Sequence, residues 1–421
     1  MGEAGASGGW ASDGRRLFTD VVAALSLVQD LEEDRKLYHA WRVGILAGAA
    51  GAKFLPDDSP YIFFGALLHD IGAIGLSGQA VAHPSLGCDP AALPLVVEHP
   101  HRGAEIVAEI PGLGPAARLI ADHHECWDGS GYPMGKVGRR IPVGAQVVHA
   151  ADLLDVYTRD VPDCSQDEAL RWLRKAAGSQ VRRDVIDMLC EIVAERPFFE
   201  AFLHDDALPG LLHTTAARVP ELSVAAPQEA AAVSVRVLGR VIDAKHQYTG
   251  GHSSRVARYS AAVASAMGLG PVEAERIRWI GYLHDAGKVT IPSHVLDKPG
   301  RLTAEEYALI RRHPLVTSDI VETMADLRDL ACGAAHHHER YDGGGYPDGL
   351  TGESTPLVAR IIAVGDAFDA ITSLRPYQRA RGLGEAVDIL HCSSGTQFDP
   401  HVVDAAAATL PLAFPEGATS V

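Results

Sequence analysis

The stretch HHHERYDGGGYPDG, from His336 to Gly349, sets three consecutive histidines and a glutamate against a turn rich in aspartate and glycine. A second version, ADHHECWDGSGYPMG, runs from Ala121 to Gly135. The shared Gly-Tyr-Pro places Tyr346 at 346 − 132 = 214 residues after Tyr132. Self-similarity at a fixed offset indicates an internal repeat, so we expect one domain to occur twice in this chain.

Other polar residues keep nearly the same register, at offsets of 213 to 215: His39 with His252, His69 with His284, His99 with His313, His124 with His338, and Asp152 with Asp366. The sequence around them is rich in Ala and Leu and has few alternating β-branched runs, which favours helices. We therefore predict an all-α fold of two tandem helical bundles. The first copy spans residues 15–202, an Ala/Pro-rich linker spans 203–232, and the second copy spans 233–412.

Composition limits the classes of function. With 421 residues, 47% of them hydrophobic and 22% charged, the chain is typical of soluble globular proteins. A net charge of −17 argues against binding to nucleic acid polymers or anionic lipid, and an anionic substrate would need a local cationic site. Six scattered cysteines without a C-x-x-C pair favour reduced thiols in a cytoplasm. No apolar run reaches the roughly 18 residues of a membrane span.

Helical spacing predicts where the histidines point. Ile277 and Ile280 precede His284 by seven and four residues, so the three share one apolar face. Thr303 and Glu306 form a capping box that is expected to start the helix carrying His313. In the first copy, Asp89-Pro90 is the corresponding helix start.

Inward-facing histidines and carboxylates in such numbers predict a metal site. A single histidine on an apolar face is usually a core residue, but burying several imidazoles without a metal would strand donors and acceptors. Imidazole suits Fe, Mn or Zn, and the carboxylate of the His284-Asp285 pair could bridge two ions. Two such ions can lower the pKa of a bridging water to about 7 and clamp a phosphoryl group. Hydrolysis of a phosphate ester is the reaction expected.

The second copy carries a series of motifs in order: GHSSRV at Gly251, LHDAGKVTIP at Leu283, HHERYDGGGYP at His337, GDAFDAITSLRPY at Gly365 and GTQFDP at Gly395. These motifs resemble the HD-domain superfamily of metal-dependent phosphohydrolases, and within it the HD-GYP subfamily. The resemblance implies an all-α HD-domain bundle in each copy. It also implies a phosphodiesterase that hydrolyses a cyclic dinucleotide, in first place cyclic di-GMP to pGpG or GMP.

The resemblance also implies roles for residues of the second copy. Asp285 and Lys288 would be catalytic, with Lys288 and Arg375 holding the phosphates and Tyr346 contacting a base or a partner protein. His336 lies outside the motif and is expected to be structural. Some relatives bind a third metal through a Glu four residues before the first His; Tyr248 stands there, so two divalent ions, Fe or Mn, are expected. The implied metal ligands are His252, His284, Asp285, His313, His337, His338 and Asp366.

The first copy departs from the pattern around an intact set of candidate ligands, namely His39, His69, Asp70, His99, His123, His124 and Asp152. Ala73 replaces the lysine and Val161 replaces the arginine, so handling of a phosphodiester is in doubt. Arg42 and Arg159 are candidates for partial substitution. We expect a further metal site here, in a copy with a regulatory, dimerising or differently specific role.

Several alternatives stay open at this point. The substrate could be 3′,3′-cGAMP or a mononucleotide, because nothing in the sequence fixes which bases are read. A non-catalytic messenger receptor or a sensor is the rival from another class. A homodimer or a complex with a protein partner could form through the loop around Gly345-Tyr346-Pro347, called the GYP loop below.

Overall fold

In a computed structural model, the chain is described over residues 14–31, 37–74, 94–161, 163–222, 226–244, 251–373 and 380–414. Within these ranges it is built of α-helices and short 3-10 helices, without a β-strand. Isolated bridges are the only β contacts there, such as Ala177 with Val181 and Ser394 with Phe398. The predicted all-α class is confirmed.

The helices follow the repeat. Those of the N-terminal half are α1 Gly14–Leu31, α2 His39–Phe54, α3 Ser59–Leu67, α4 Pro94–Ala108, α5 Gly114–Ile120, α6 Val143–Asp160, α7 Gln166–Lys175, α8 Arg183–Val193, α9 Arg196–Phe202 and α10 Leu208–Arg218. Those of the C-terminal half are α11 Pro227–Ala244, α12 His252–Ala266, α13 Pro271–Leu283, α14 Ser293–Leu296, α15 Ala304–Ile310, α16 His313–Glu322, α17 Ala331–Ala335, α18 Leu357–Thr372, α19 Leu383–Cys392 and α20 Pro400–Ala413.

The chain divides into two compact units, Val21–Ser234 and Val235–Val421 with Met1–Asp20. The domain limits inferred from sequence stay a proposal. Within the stretch 203–232, however, the expectation of an aperiodic connection is wrong for α10. The Ala/Pro-rich composition of this stretch predicted a linker, but Pro209 lies in the first turn of α10, where a proline removes no helical hydrogen bond.

Helix α10 packs onto α2 of the first copy. Its buried residues Leu208, Leu212 and Thr215 recur at helical spacing. A Cβ placed on Gly48 of α2 would lie 2.8 Å from Thr215 Cγ2, so the glycine permits this close approach. The helix therefore belongs to the body of the first copy.

One helix organises each unit. In the second copy α12 packs against α13, α18 and α20, and in the first α2 packs against α3, α6 and α8. A Cβ on Gly281 of α13 would lie 2.6 Å from Ala257 Cα of α12, so only glycine allows the two helices to approach this closely. His252 begins α12 and His284 directly follows α13, so this contact brings the two histidines together.

A buried aspartate caps each of these central helices. The backbone N–H of Ser253 donates to both carboxylate oxygens of Asp243, at 3.3 and 3.1 Å, and Ala40 N–H does the same with Asp30. Anions stabilise a helix N-terminus because its first N–H groups lack helical partners. The two caps fix where the helices carrying His252 and His39 begin.

The structure corrects one helix assignment. Thr303 and Glu306 do form a reciprocal capping box, but the helix they start, α15, ends at Ile310. His313 begins a separate helix, α16, with Pro314 in its first turn. Proline cannot donate to the carbonyl four residues earlier and clashes with it, so the ladder breaks ahead of His313. The corresponding prediction at Asp89-Pro90 lies outside the described residues.

None of the helices in the described ranges has the length and apolar character needed to cross a membrane.

The turn after Asp285 demands glycine at position 287. A Cβ there would lie 2.1 Å from the carbonyl oxygen of His313, a backbone atom that cannot move away cheaply. We expect Gly287→Ala to lower the free energy of unfolding by about 1–3 kcal/mol through overpacking. Urea unfolding followed by circular dichroism measures this.

Gly384→Ala in α19 is the matched control, because nothing lies within 4 Å of a Cβ at that position. It should leave stability within about 0.5 kcal/mol of the parent. Equal unfolding midpoints for both variants would contradict the packing described here.

Candidate metal centre

In each unit the candidate ligands lie at the ends of helices around one point. His252 is the first residue of α12, His284 and Asp285 follow α13, and His313 begins α16. The adjacent pair His337 and His338 lies in the turn after α17, and Asp366 lies within α18. In the first copy His39 begins α2, His69 and Asp70 follow α3, and His123 and His124 lie in the turn after α5, whereas His99 lies inside α4 and Asp152 inside α6.

The side chains form two adjoining groups per copy, and in each group the potential ligand atoms lie within 4.8 Å of one another. The second-copy groups are Asp285, His313, His337 with His338, and His252, His284 with Asp366. The first-copy groups are Asp70, His99, His123 with His124, and His39, His69 with Asp152. The fourteen side chains predicted as ligands are thus brought together in the two copies.

One carboxylate lies between the groups of the second copy. Asp285 Oδ1 is 3.2 Å from His313 Nε2, whereas Asp285 Oδ2 is 3.3 Å from His284 Nε2. Each oxygen therefore faces a different group. A cation in either group could share this carboxylate, the arrangement expected of a bridging ligand.

The first copy shows the same division. Asp70 Oδ1 is 3.3 Å from His99 Nε2, and Asp70 Oδ2 is 3.4 Å from His69 Nε2. The geometry that could hold a pair of ions is therefore common to both copies.

Hydrogen bonds at Nδ1 orient the imidazoles. His284, His313 and His337 place Nδ1 at 2.7–2.9 Å from the carbonyl oxygen three residues earlier. A carbonyl can only accept, so Nδ1 donates this bond and Nε2 points at the carboxylates. His69, His99 and His123 have the same bond. Such partners typically fix the tautomer of metal-binding histidines.

The carbonyls are available for a structural reason. The last carbonyls of a helix lack N–H partners, and His284 and His337 follow the ends of α13 and α17. In the His-Pro pair at His313, Pro314 cannot donate to the carbonyl of Ile310, and His313 Nδ1–H uses it at 2.7 Å. The sequence thus frees an acceptor where each ring needs one.

Burial also affects the protonation of two of these histidines. It lowers the pKa of His337 well below its usual value and that of His338 to about 3. Both imidazoles are therefore neutral at pH 7 and can offer a lone pair to a cation.

His252 is oriented differently, by a carboxylate that sequence analysis missed. Asp369 Oδ2 accepts from His252 Nδ1 at 2.7 Å, and Arg255 bonds the same carboxylate. Burial raises the pKa of Asp369, but the hydrogen bonds from His252 and Arg255 outweigh it and keep the pKa below its usual value. Asp155 holds His39 at 2.6 Å in the first copy, and the offset 369 − 155 = 214 was the available signal.

The donors present fit a bound cation. His284 Nε2 and Asp285 Oδ1 are buried and have no hydrogen-bond partner among the described residues. Unpartnered buried polar atoms cost free energy unless another ligand satisfies them. Imidazole nitrogens mixed with carboxylate oxygens suit Fe, Mn or Zn ions. Each copy thus contains candidate metal-binding groups.

The GYP loop closes over the second copy's histidines. Glu339 Oε1 accepts from the backbone N–H groups of Asp348 and Gly349 at 2.7 and 3.0 Å, which holds the loop in place. The Tyr346 ring lies 4.9 Å from the His338 ring, with the Arg311 guanidinium 5.0 Å from its centre. Tyr346 therefore borders the metal groups.

His336 stands apart from the groups. Its ring contacts Cys332 O and Asp348 Oδ2, at 2.7 and 2.9 Å, as expected of a structural residue.

The predicted phosphate-binding cations differ between the copies. Lys288 Nζ lies 2.6 Å from Asp285 Oδ2, on the shared carboxylate itself. Ala73 occupies the equivalent turn, Ile71–Ala73, of the first copy. Arg375 and Tyr248 lie outside the described residues.

The suggestion that Arg42 replaces a missing cation is wrong, whereas the suggestion for Arg159 stays a prediction. Both guanidinium groups bind Asp155, and Arg42 also donates to Phe202 O at 2.6 Å. Arg42 is only 4% exposed, so it is committed to orienting the first copy rather than to an anion.

The orientation of His252 by Asp369 generates a prediction. Asp369→Ala should weaken metal binding by the second copy by about 10–100-fold, the usual effect of losing such a partner. Competition with a chelator, read by elemental analysis, measures it. Asp388→Ala, at an exposed position of α19, is the control and should leave metal binding unchanged. Equal metal retention by the two variants would show that Asp369 has no orienting role.

Comparison with known proteins follows the same division of the chain. A family model described as HD domain matches residues 47–185 and again residues 236–402. Among curated relatives, 3′3′-cGAMP-specific phosphodiesterase 3 of Vibrio cholerae serotype O1 is 30% identical, over 71% of this chain and 64% of its own length. The 3′3′-cGAMP-specific phosphodiesterase 1 of the same organism is 28% identical, over 87% of this chain and 85% of its own length.

Other relatives match a shorter part. The cyclic di-GMP phosphodiesterase response regulator RpfG of Xanthomonas campestris pv. campestris is 42% identical over 40% of this chain and 45% of its own length. The chain thus spans less than two thirds of some of these relatives. The crystal structure of a cyclic GMP-AMP specific phosphodiesterase of V. cholerae (V-cGAP3) aligns with a TM-score of 0.65 at 24% identity, covering 94% of this chain and 98% of that one, which shows a shared fold. The chain belongs to the HD-domain family.

Proposed function

We propose that this protein is a cyclic-dinucleotide phosphodiesterase whose reaction takes place in the second copy. Relatives that carry this activity in their names support the substrate class. The observation that carries the assignment to the second copy is the pairing of Lys288 with the shared carboxylate of Asp285, at 2.6 Å. Ala73 in the first copy offers no charge at that place.

A phosphodiester needs positive charge in this acidic protein, whose net charge is −17. Cations held by the two groups would lower the pKa of the attacking water and neutralise the phosphate oxygens. Asp285 would hold both cations in place. Lys288, 24% exposed, can turn from Asp285 towards a non-bridging phosphate oxygen.

The reaction proposed is hydrolysis of a 3′,5′-phosphodiester. A bond forms between the water oxygen and phosphorus, the bond from phosphorus to O3′ breaks, and a proton ends on O3′. The first product is a linear dinucleotide with a 5′-phosphate. Arg375 is proposed as a further substrate contact, and so is Tyr346, whose ring lies beside that of His338.

The preferred messenger has two candidates. The motifs resemble enzymes for cyclic di-GMP, and RpfG, named for that substrate, matches 40% of the chain. The relatives that match 71% and 87% of it, across both copies, are named as 3′3′-cGAMP-specific. This second observation favours 3′,3′-cGAMP, so both messengers belong in the assay. Binding of either messenger without turnover would favour a non-catalytic receptor. Turnover of a mononucleotide alone would favour a mononucleotide phosphohydrolase.

The first copy is proposed to bind metal and to regulate rather than to react. Its ligand groups are complete, but Ala73 stands where the second copy has Lys288. A homodimer or a protein partner at the GYP loop, and a cytoplasmic location, stay predictions.

The roles of the copies can be separated with a matched pair of variants. With Mn²⁺ or anaerobic Fe²⁺, the parent protein should linearise a cyclic dinucleotide, and His284→Ala should abolish turnover because a ligand of the second copy is lost. His69→Ala removes the equivalent side chain of the first copy and should leave turnover largely unchanged. Chromatography of the nucleotide products measures this. Equal loss in two folded variants would show that the copies are assigned wrongly.

Lys288 gives a second test. Lys288→Ala should lower kcat/KM by about 10²–10³-fold, since one positive charge at the developing phosphate charge is removed. Metal content should stay that of the parent, because Lys288 is not a ligand. Steady-state kinetics with elemental analysis distinguishes the two effects, and an unchanged kcat/KM would remove Lys288 from the mechanism.

A further inference from the structure

A cleft of about 420 Å³ opens beside the metal groups of the second copy. One wall is the face of α18 with Ala363, Ala367 and Ala370, and the wall reaches His338 and Asp366. Those two residues belong to different metal groups, so the cleft adjoins both. Ile371, Ile389 and Phe398 make the rest of its apolar lining.

The first copy fills the same place with larger side chains. At the offset of 214, Ala363, Ala367 and Ile371 correspond to His149, Leu153 and Tyr157. His149 Nδ1 bonds the carbonyl of His123 at 2.6 Å and is buried. The β-bridges Ala177–Val181 and Ser394–Phe398 occupy equivalent places in the two copies, at an offset of 394 − 177 = 398 − 181 = 217. At that offset Ile389 corresponds to Trp172. Tyr157 and Trp172 stack at 4.6 Å.

This difference changes access to the metal groups. The Asp366 side chain is 25% exposed beside the cleft, whereas Asp152 in the first copy is 3% exposed. Small side chains thus keep a path from solvent to Asp366. At the equivalent positions the first copy carries the larger side chains of His149 and Leu153, both of them buried.

The lining indicates what the cleft could hold. Alanine and isoleucine walls suit a flat apolar group, while the side chains of Ser393 and Gln397 offer donors and acceptors at its edge. Arg340 is held by Asp342 at 2.7 Å, and the acidic residues Glu339 and Asp366 also line this region. A phosphate would be repelled there. A planar heterocycle with polar edges would fit.

We propose, building on the function assigned above, that the cleft is the subsite for one nucleobase of the cyclic dinucleotide. A phosphodiester at the metal groups is covalently joined through ribose to its bases, so one base must lie next to these groups. The cleft is an apolar space that borders them in the copy with Lys288. Base contacts of this kind are sequence-tolerant, so the cleft accepts either purine.

Grafting the first copy's residues into the second tests the proposal. The variant Ala363→His, Ala367→Leu, Ile371→Tyr and Ile389→Trp carries the side chains found at the corresponding positions of the first copy, where Tyr157 and Trp172 stack. Calorimetry with metal-loaded protein should show that affinity for cyclic di-GMP and 3′,3′-cGAMP falls by about 10–100-fold, the usual loss when a base contact is removed. Metal content should be retained. Ala408→Leu, at an exposed position of α20, is the control and should bind like the parent.

A measurement on the parent protein guards against misfolding of the graft. With methyl-labelled isoleucine, nuclear magnetic resonance should show the Ile371 and Ile389 methyl signals shifting when a cyclic dinucleotide is added. Unchanged signals under saturating ligand, or a folded graft that keeps parental affinity, would overturn the proposal while leaving the enzyme assignment intact.

Two further outcomes separate the cleft proposal from the proposed function. Binding without turnover, lost in the graft, would support the cleft and overturn the hydrolase. If the metal-loaded parent binds neither messenger, both the cleft proposal and the proposed function fail.

Discussion

The structure depends on one recurring interaction, the hydrogen bond from a histidine Nδ1–H to an acceptor that the fold leaves free. Helix ends and His-Pro pairs provide carbonyls for His284, His313 and His337, and Asp369 serves His252. Each bond turns the other ring nitrogen towards a shared carboxylate. The central helices, their capping aspartates and the close glycine contacts all bring these ends together, so the architecture of the bundle and the chemistry of its centre have the same physical origin.

The two copies show which parts of such a centre can change. Buried ligands and their orienting partners are kept on both sides, because removing one would leave polar atoms buried and unsatisfied. Residues facing the substrate side are less constrained: Lys288 corresponds to Ala73, and the alanines of the cleft correspond to His149 and Leu153. A duplicated domain can therefore keep its capacity for metal while losing the surroundings that a phosphodiester needs.

Much of this could be predicted from sequence. The offset near 214 identified the duplication, and helical spacing placed the ligands on inward faces, so the all-α fold was within reach. The carboxylates that accept hydrogen bonds from His252 and Ser253 could not be predicted, because Asp369 and Asp243 look like ordinary helix residues until tertiary contacts bring them there. The break before His313 was missed because the capping box marks where a helix starts and not where Pro314 interrupts it. Helix α10 was missed because its Ala/Pro-rich stretch was predicted to be a linker, although a proline in the first turn leaves a helix intact. Arg42 was misassigned because a charge in sequence does not reveal its partner.

The central claim is that these imidazole and carboxylate groups converge on bound cations. Elemental mass spectrometry of protein purified without oxygen tests it most directly. The account predicts at least about two metal ions per chain, retained through dialysis. A folded protein that holds none, yet still cleaves a cyclic dinucleotide, would contradict it.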